Sequence, residues 1–407
     1  MRIGIVTTWF ERGAAYVSRQ FMEVLSKTDD VFIYARGGEK YAKGDPKWDL
    51  ENVYWGKRCI GKRGVLGSTY IDRKDFEQWL KQYKIEAVLF NEQQWFQPIL
   101  WCKDLSVKCL AYVDYYNERT IPLFDVYDGL VCNTKRHAFA FRNHPNVNYI
   151  KWGTDINLYK PVEYKKNKLT FFHSAGMAPI RKGTDILLRS FYKVRERSKS
   201  LLLVHSQVDL LFFFPELAEA IKEMENEGSL EIVTKTITAP GLYYRGDVYI
   251  YPSRLDGIGL TLMEAISSGM AIVTSDNPPM NEFVESDFGQ LCPIDYQYSR
   301  IDGYYWPMCV PSEELLTEIL QKYIDGNYNL CEMKKNARMY AEKELDFQKN
   351  SNSLHQIISN TERTTVSAQL RKEIHSYDYY AIKAYYRVLS PVYYIYKTLK
   401  NFKNKIG

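Results

Sequence analysis

Two acids, Asp256 and Glu264, bracket a glycine turn in the segment DVYIYPSRLDGIGLTLMEAISSGMAIVTSDNPPMNEFV, residues 247–284. The run Val248-Tyr249-Ile250-Tyr251 predicts a short strand that Pro252-Ser253 ends. Asp256-Gly257-Ile258-Gly259 then turns the chain into a helix opening near Leu260, with Thr261 and Glu264 in its first turns. Glycines at a helix mouth let backbone N–H groups approach an anion with no Cβ in the way, and the helix dipole favours negative charge there. Carboxylates beside a phosphate are electrostatically costly, so the two acids suit sugar or ribose hydroxyls. That is the chemistry of a nucleotide-sugar pocket. An ordinary βα turn of an α/β domain is the plainer alternative.

A phosphate cradle calls for cationic partners. Residues 171–186, FFHSAGMAPIRKGTDI, supply them: a strand, a loop at Gly176, then Arg181-Lys182-Gly183 at a helix opening. Arginine grips phosphate bidentately and lysine acts as a compact charge. A solvated helix start with incidental basic residues is the alternative, although helix N-termini prefer acids. Weaker signals lie in the first half. Gly13, flanked by Glu11 and Arg12, separates a strand from a helix. Glu92 belongs to a polar cluster after strand 87–90, at a carboxyl end where open α/β sheets bind ligands. Asp114, after strand 109–113, either accepts from a sugar hydroxyl or caps the next element. His173 either touches ligand or is an internally bonded loop histidine. No histidines pair at metal-ligand spacing, and no nucleophile elbow, Walker loop or zinc motif occurs, so no metal is expected.

Around these residues, short apolar runs at 3–7, 31–34, 87–90, 108–112, 129–132 and 147–150 alternate with amphipathic stretches such as Val17, Phe21, Met22, Leu25. A second series follows at 169–173, 201–204, 230–233, 248–251 and 271–274. Such alternation predicts parallel sheets with right-handed crossovers. The polar stretch DINLYKPVEYKKNKL near 155–168 separates two blocks, and beyond about 345 the pattern turns helical.

The segment 247–284 resembles the donor-binding signature of retaining, two-domain glycosyltransferases of family 4: an acid, Gly-Phe-Gly-Leu, then a glutamate on the helix. Asp256 stands where that family has its first glutamate, Ile258 where it has phenylalanine, and Glu264 matches the second glutamate. Lys182-Gly183 matches the family's Lys-Gly; Met177 fills its arginine position, with Arg181 the nearest substitute. Asp114 follows the strand after which many members carry a histidine. The segment WGTDINLYKP, 152–161, resembles the family's inter-domain Asn-Gly-x-Asp…Phe-x-Pro, with Trp152 for the asparagine.

The resemblance implies a GT-B-like α/β fold, two Rossmann-like domains facing across a cleft with a helical C-terminal extension. Residues 1–155 would form the acceptor domain, 168–345 the donor domain, and 346–407 a helical tail returning to the first. It implies metal-independent transfer of a hexose from a UDP- or GDP-linked donor to a glycan or lipid-linked acceptor with retention. No cofactor is implied beyond that co-substrate. Lys182, Arg181 and Asp256 would carry catalysis, and Gly257, Ile258, Gly259, Leu260, Thr261, Glu264 and Gly176 would bind donor. Gly13, Glu92, Asp114 and His173 are candidates for sugar or acceptor contacts. Met177 and Asp114 also leave open a catalytically silent accessory subunit, and a sugar-nucleotide epimerase of the same architecture remains a third reading.

Composition bounds these readings. At 407 residues, 45% apolar, the chain suits two cores and an appendage. With 54 basic against 49 acidic residues, it carries no general nucleic-acid footprint. The seven cysteines form no C-x-x-C pair and read as reduced thiols. The N-terminus reads as a first strand, and no apolar run is long enough to cross a bilayer, so a cytoplasmic protein is expected. From Tyr379 to Gly407 the chain has lysines, one arginine and many tyrosines but no acid. It suits an anionic inner-membrane surface, or a helix packed on the body. If 379–407 docks on lipid, co-sedimentation with anionic vesicles weakens with salt and is lost on truncation after Ser376. Equal binding by the truncated chain would assign the tail to packing.

Overall fold

The computed structural model describes residues 1–38, 41–59 and 69–384, with side chains to 379. The chain divides into two compact units, one of residues 1–132, 137–149 and 351 onward, the other of 133–136 and 150–350.

In the first unit, β1 (Arg2–Thr7), β2 (Asp30–Ala35), β3 (Val53–Trp55), β4 (Ala87–Asn91), β5 (Lys108–Tyr112), β6 (Gly129–Cys132) and β7 (Val147–Tyr149) form one parallel sheet. Their spatial order is β3-β2-β1-β4-β5-β6-β7. Ile3, Ile5, Val88, Phe90, Cys109 and Leu110 are buried. Near-continuous apolar runs of this kind mark parallel strands covered on both faces. Helices α1 (Gly13–Leu25), α2 (Arg73–Gln82), α3 (Gln97–Asp104) and α4 (Lys135–Ala140) follow their strands, α4 starting in the short segment that groups with the second unit. The predicted stripe on α1 is buried at Val17, Phe21, Met22 and Leu25.

The second unit repeats the plan. β8 (Leu169–Gly176), β9 (Ser200–Ser206), β10 (Leu230–Thr234), β11 (Val248–Tyr251), β12 (Ala271–Ser275) and β13 (Gly289–Cys292) lie in the order β10-β9-β8-β11-β12-β13, again parallel. Helices α5 (Thr184–Lys193), α6 (Leu210–Phe213), α7 (Ala218–Asn226) and α8 (Leu260–Ser267) connect them. An antiparallel hairpin of β14 (Ile294–Tyr298) and β15 (Met308–Pro311) precedes α9 (Glu313–Ile324), α10 (Leu330–Glu344) and α11 (Phe347–Asn350). The hairpin, β3 and β13 lie beyond the sequence-based expectations. In each sheet the winding reverses once, between β1 and β4 and between β8 and β11, and crevices outside the carboxyl ends at such points bind ligands.

After α11 the chain returns to the first unit as α12 (Leu354–Asn360) and α13 (Ala368–Ala384). His355 Nδ1 lies 2.7 Å from Asp29 Oδ2, and Lys108 Nζ donates to the carbonyls of Ile358 and Ser359. Asp378 accepts from Gln97 Nε2 at 2.8 Å at the start of α3. Residues 380–407, most of the segment expected at a membrane surface, lie outside the residues whose side chains are described. Among the described residues no helix is long and apolar enough to cross a membrane.

One sequence-based option is corrected here. His173, in the middle of β8, is fully buried, with Nδ1 2.8 Å from the Ile250 carbonyl and Nε2 2.8 Å from Thr184 Oγ1. Both nitrogens tie β8 to β11 and α5, which leaves neither to a ligand. Burial is the main cause that pushes its pKa down to about 4, with the Lys182 charge adding to it.

Two outcomes follow from this framework. The fold favours neutral His173, so its contribution is complete above pH ~6.5 and is lost as the pH falls toward 4, amounting to on the order of 3 kcal/mol. Urea titrations at pH 7.5 and 5 should show a His173→Asn variant that is less stable at the higher pH yet loses less on acidification than the parent. Gly183 and Gly176 both have positive φ, +71° and +57°, but a Cβ at Gly183 would lie 1.9 Å from the Pro252 carbonyl oxygen, whereas none would be met at Gly176. Gly176→Ala should cost about 1 kcal/mol of strain alone. Gly183→Ala should cost visibly more in the same titration, because strand-end backbone must move.

Candidate active site

The two segments singled out by sequence meet at the reversal of the second sheet. β8 ends at Gly176 and the loop after it carries Met177 to Lys182, while the loop after β11 carries Pro252 to Gly259. Along β11 the residues alternate. Val248 and Ile250 enter the core with Phe171, Leu187 and Leu202, while Tyr249 and Tyr251 stack on the opposite face, 5.7 Å apart and 20° from parallel. Arg254 ties the loops together. Its two terminal nitrogens each bond one Asp185 oxygen at 2.7 Å, and it also donates to the Ile180 carbonyl at 2.5 Å. Burial alone would raise the Asp185 pKa; Arg254 and then Arg189 bring it below the usual value.

The centre of the site is the Asp256 carboxylate. Oδ2 accepts from Lys182 Nζ at 3.1 Å, from an Arg181 terminal nitrogen at 3.2 Å and from the Tyr251 hydroxyl. Oδ1 accepts from the amides of Ile258 at 3.3 Å and Gly259 at 3.2 Å. Lys182 Nζ also bonds the Tyr251 hydroxyl at 2.5 Å and stands 4.6 Å above that ring. The Lys182 and Asp256 side chains are only 12% and 14% exposed, so their attraction is weakly screened; Arg181 at 36% is the outer cation. Burial would raise the Asp256 pKa, yet Lys182 and Arg181 hold it well below the carboxylate range. Burial, and then Asp256, push the Tyr251 hydroxyl well upward, so it stays a donor.

Gly259, at φ +80°, turns the backbone into α8. Gly257, Ile258, Leu260 and Thr261 therefore line the helix mouth as the sequence predicts. Arg136 holds this turn from behind, donating to the main-chain oxygen of Asp256 and to that of Pro278 at 2.7 Å, with its guanidinium 5.4 Å over the Trp306 ring of the hairpin.

Glu264 lies one turn further along α8, in a different setting. Its Oε2 accepts from the Tyr243 hydroxyl at 2.5 Å, and Tyr159 packs edge-on against Tyr243. Burial raises the Glu264 pKa, opposed by the Tyr243 and Tyr159 hydroxyls and by the Lys182 charge. One acid is thus held ionised and the other drawn toward neutrality. Met177, at the position where the resemblance expects a cation, is 73% exposed.

In the first unit, Gly13 opens α1 after β1, and Glu92 follows β4 in the left-handed region at φ 52°. The Glu92 carboxylate lies 3.6 Å from Arg12, so both flank that sheet's own reversal point. Asp114 is half-buried beyond β5. Sequence reasoning missed Tyr251, Tyr243, Arg254 and Arg136. For Tyr251 the signal was present: the alternation Val-Tyr-Ile-Tyr puts both hydroxyls on the face opposite the core. Among the described residues no group of three or more His, Cys, Asp or Glu side chains is placed to hold a metal ion.

Residues 168–296 match the sequence profile of the family described as Glycosyl transferases group 1. No curated protein matches the chain. Among solved structures, sucrose-phosphate synthase from Thermosynechococcus elongatus shares 14% identity at a TM-score of 0.66, over 88% of this chain and 98% of that one. HepE from Anabaena, in complex with UDP and glucose, shares 13% at 0.65, over 88% and 99%. The pneumococcal O-GlcNAc transferase GtfA, in complex with UDP and GlcNAc, shares 12% at 0.66, over 88% of this chain. The likeness to these structures is one of fold. The second unit is thus similar in sequence to group 1 glycosyl transferases over residues 168–296, and the chain shares the fold of these solved structures.

Proposed function

We propose that the protein transfers a hexose from a nucleoside-diphosphate donor to a glycan or lipid-linked acceptor, with retention of anomeric configuration, in cell-surface polysaccharide or glycoconjugate assembly. The observation that carries this reading is the convergence of Lys182, Arg181 and the mouth of α8 at the reversal of the second sheet. Two cations and a helix N-terminus there suit a diphosphate. Uridine is the favoured base, since two of the similar solved structures hold UDP.

In this reading the bond from the anomeric carbon to the β-phosphate oxygen breaks, and its electron pair stays on the phosphate. Lys182 and Arg181 stabilise that charge as it develops. The acceptor hydroxyl oxygen bonds the anomeric carbon on the face the phosphate leaves, and its proton passes to the departing phosphate. Asp256 takes hydroxyls of the donor sugar and Glu264 those of the ribose. The cations supply the charge compensation, and no cofactor is invoked beyond the sugar nucleotide. The protein works in the cytoplasm, its basic, aromatic 379–407 segment meeting the inner membrane face.

A thermal-shift screen against UDP-, GDP-, ADP- and CMP-linked sugars tests the donor class, with UDP-sugars expected to give the largest shift. No shift with any nucleotide would contradict the reading. Because Lys182 acts mainly on the leaving group, Lys182→Ala should lower kcat more than it raises the donor KM. A steady-state comparison in which only KM moves would place Lys182 in ground-state binding alone.

A further inference from the structure

We propose that Asp256 is an internal competitor of the donor diphosphate: its carboxylate and the diphosphate use the same cations and amides, so donor binding exchanges one anion for the other. This rests on the donor-site reading above and adds to it a determinant of affinity and product release.

The carboxylate receives five hydrogen bonds, from Lys182, Arg181, Tyr251 and the Ile258 and Gly259 amides. A carboxylate has about four lone-pair sites, so this one is saturated. Those same groups are the ones that suit a diphosphate at the mouth of α8. Both anions cannot share them, because like charges a few ångströms apart in a poorly screened site repel strongly. The length of aspartate makes the contact possible: its oxygen reaches the amides two and three residues on, as in Asx turns. Tyr251 clamps the arrangement by bonding both Asp256 Oδ2 and Lys182 Nζ, holding carboxylate and ammonium at one point.

When a diphosphate takes the cations and amides, the carboxylate is free to turn to the donor sugar. When the sugar has been transferred, return of the carboxylate to Lys182 and Arg181 assists departure of the nucleoside diphosphate. Tyr251 is here a positioning residue. It acts through Asp256 and Lys182.

The test is calorimetric titration of the full chain with inorganic pyrophosphate and, separately, UDP. Asp256→Asn removes the competing charge and should tighten pyrophosphate binding by roughly tenfold. Asp256→Glu and Tyr251→Phe keep the charge but loosen its hold, and should tighten binding by a smaller factor. UDP should follow the same order. Unchanged or weaker pyrophosphate binding by a folded Asp256→Asn protein overturns the proposal. If that variant does not fold, as judged by circular dichroism, absence of any gain in Tyr251→Phe overturns it instead. Lys182→Ala separates the two readings. If pyrophosphate binding depends on Lys182 but gains nothing from Asp256→Asn, only the competition fails. If no form of the chain binds pyrophosphate or UDP, the donor-site reading fails as well.

Discussion

The buried pair between Arg254 and Asp185 is the contact on which the site depends. It joins the loop after β11 to the first turn of α5 through two parallel bonds of 2.7 Å. Arg189 adds a third bond to Asp185 and a link to Glu313 on α9, so the clamp is itself anchored to the body of the unit. Removing one partner of such a pair leaves an uncompensated buried charge, typically worth 3–5 kcal/mol. Lys182 and Arg181 come from one of the clamped segments and Asp256 from the other. Their distances of 3.1 and 3.2 Å are a by-product of that clamp and of the close passage of Gly183 against Pro252.

The same strand order is used twice in the chain, yet the two reversal points are furnished differently. The second holds two cations around an ionised acid, with a tyrosine bridging them. The first holds the ion pairs of Arg12 with Glu92 and of Lys47 with Glu11, beside a helix that opens at Gly13. Architecture therefore sets where a ligand can sit, and the residues at each strand end decide what chemistry is available there.

Much of this was legible in the sequence because it rests on local rules. The strands at 108–112, 129–132 and 248–251 are found at their expected bounds, since parallel strands buried on both faces are uninterrupted apolar runs. The turn into α8 follows from Gly259, which adopts the left-handed conformation that favours glycine. The illegible parts are of two kinds. β3 and β13 are short and their pairing is decided by neighbours remote in sequence. The partners of a polar side chain are likewise non-local. Nothing around residue 173 indicates that the imidazole will meet Ile250 and Thr184, and nothing around Tyr243 indicates that its hydroxyl will meet Glu264.

The return of α12 and α13 to the first unit has a consequence for how the chain is made. Leu354, Ile358 and Ile374 are buried there, and Thr364 bonds the Asp128 carboxylate. A ribosome delivers these residues only after the whole second unit has emerged. The second unit is nearly contiguous and can close on itself while synthesis continues, whereas the first waits with an apolar face uncovered. Domains otherwise tend to fold in order from the N-terminus during translation. Here the last elements of the first unit, α12 and α13, are supplied only after the second unit is complete.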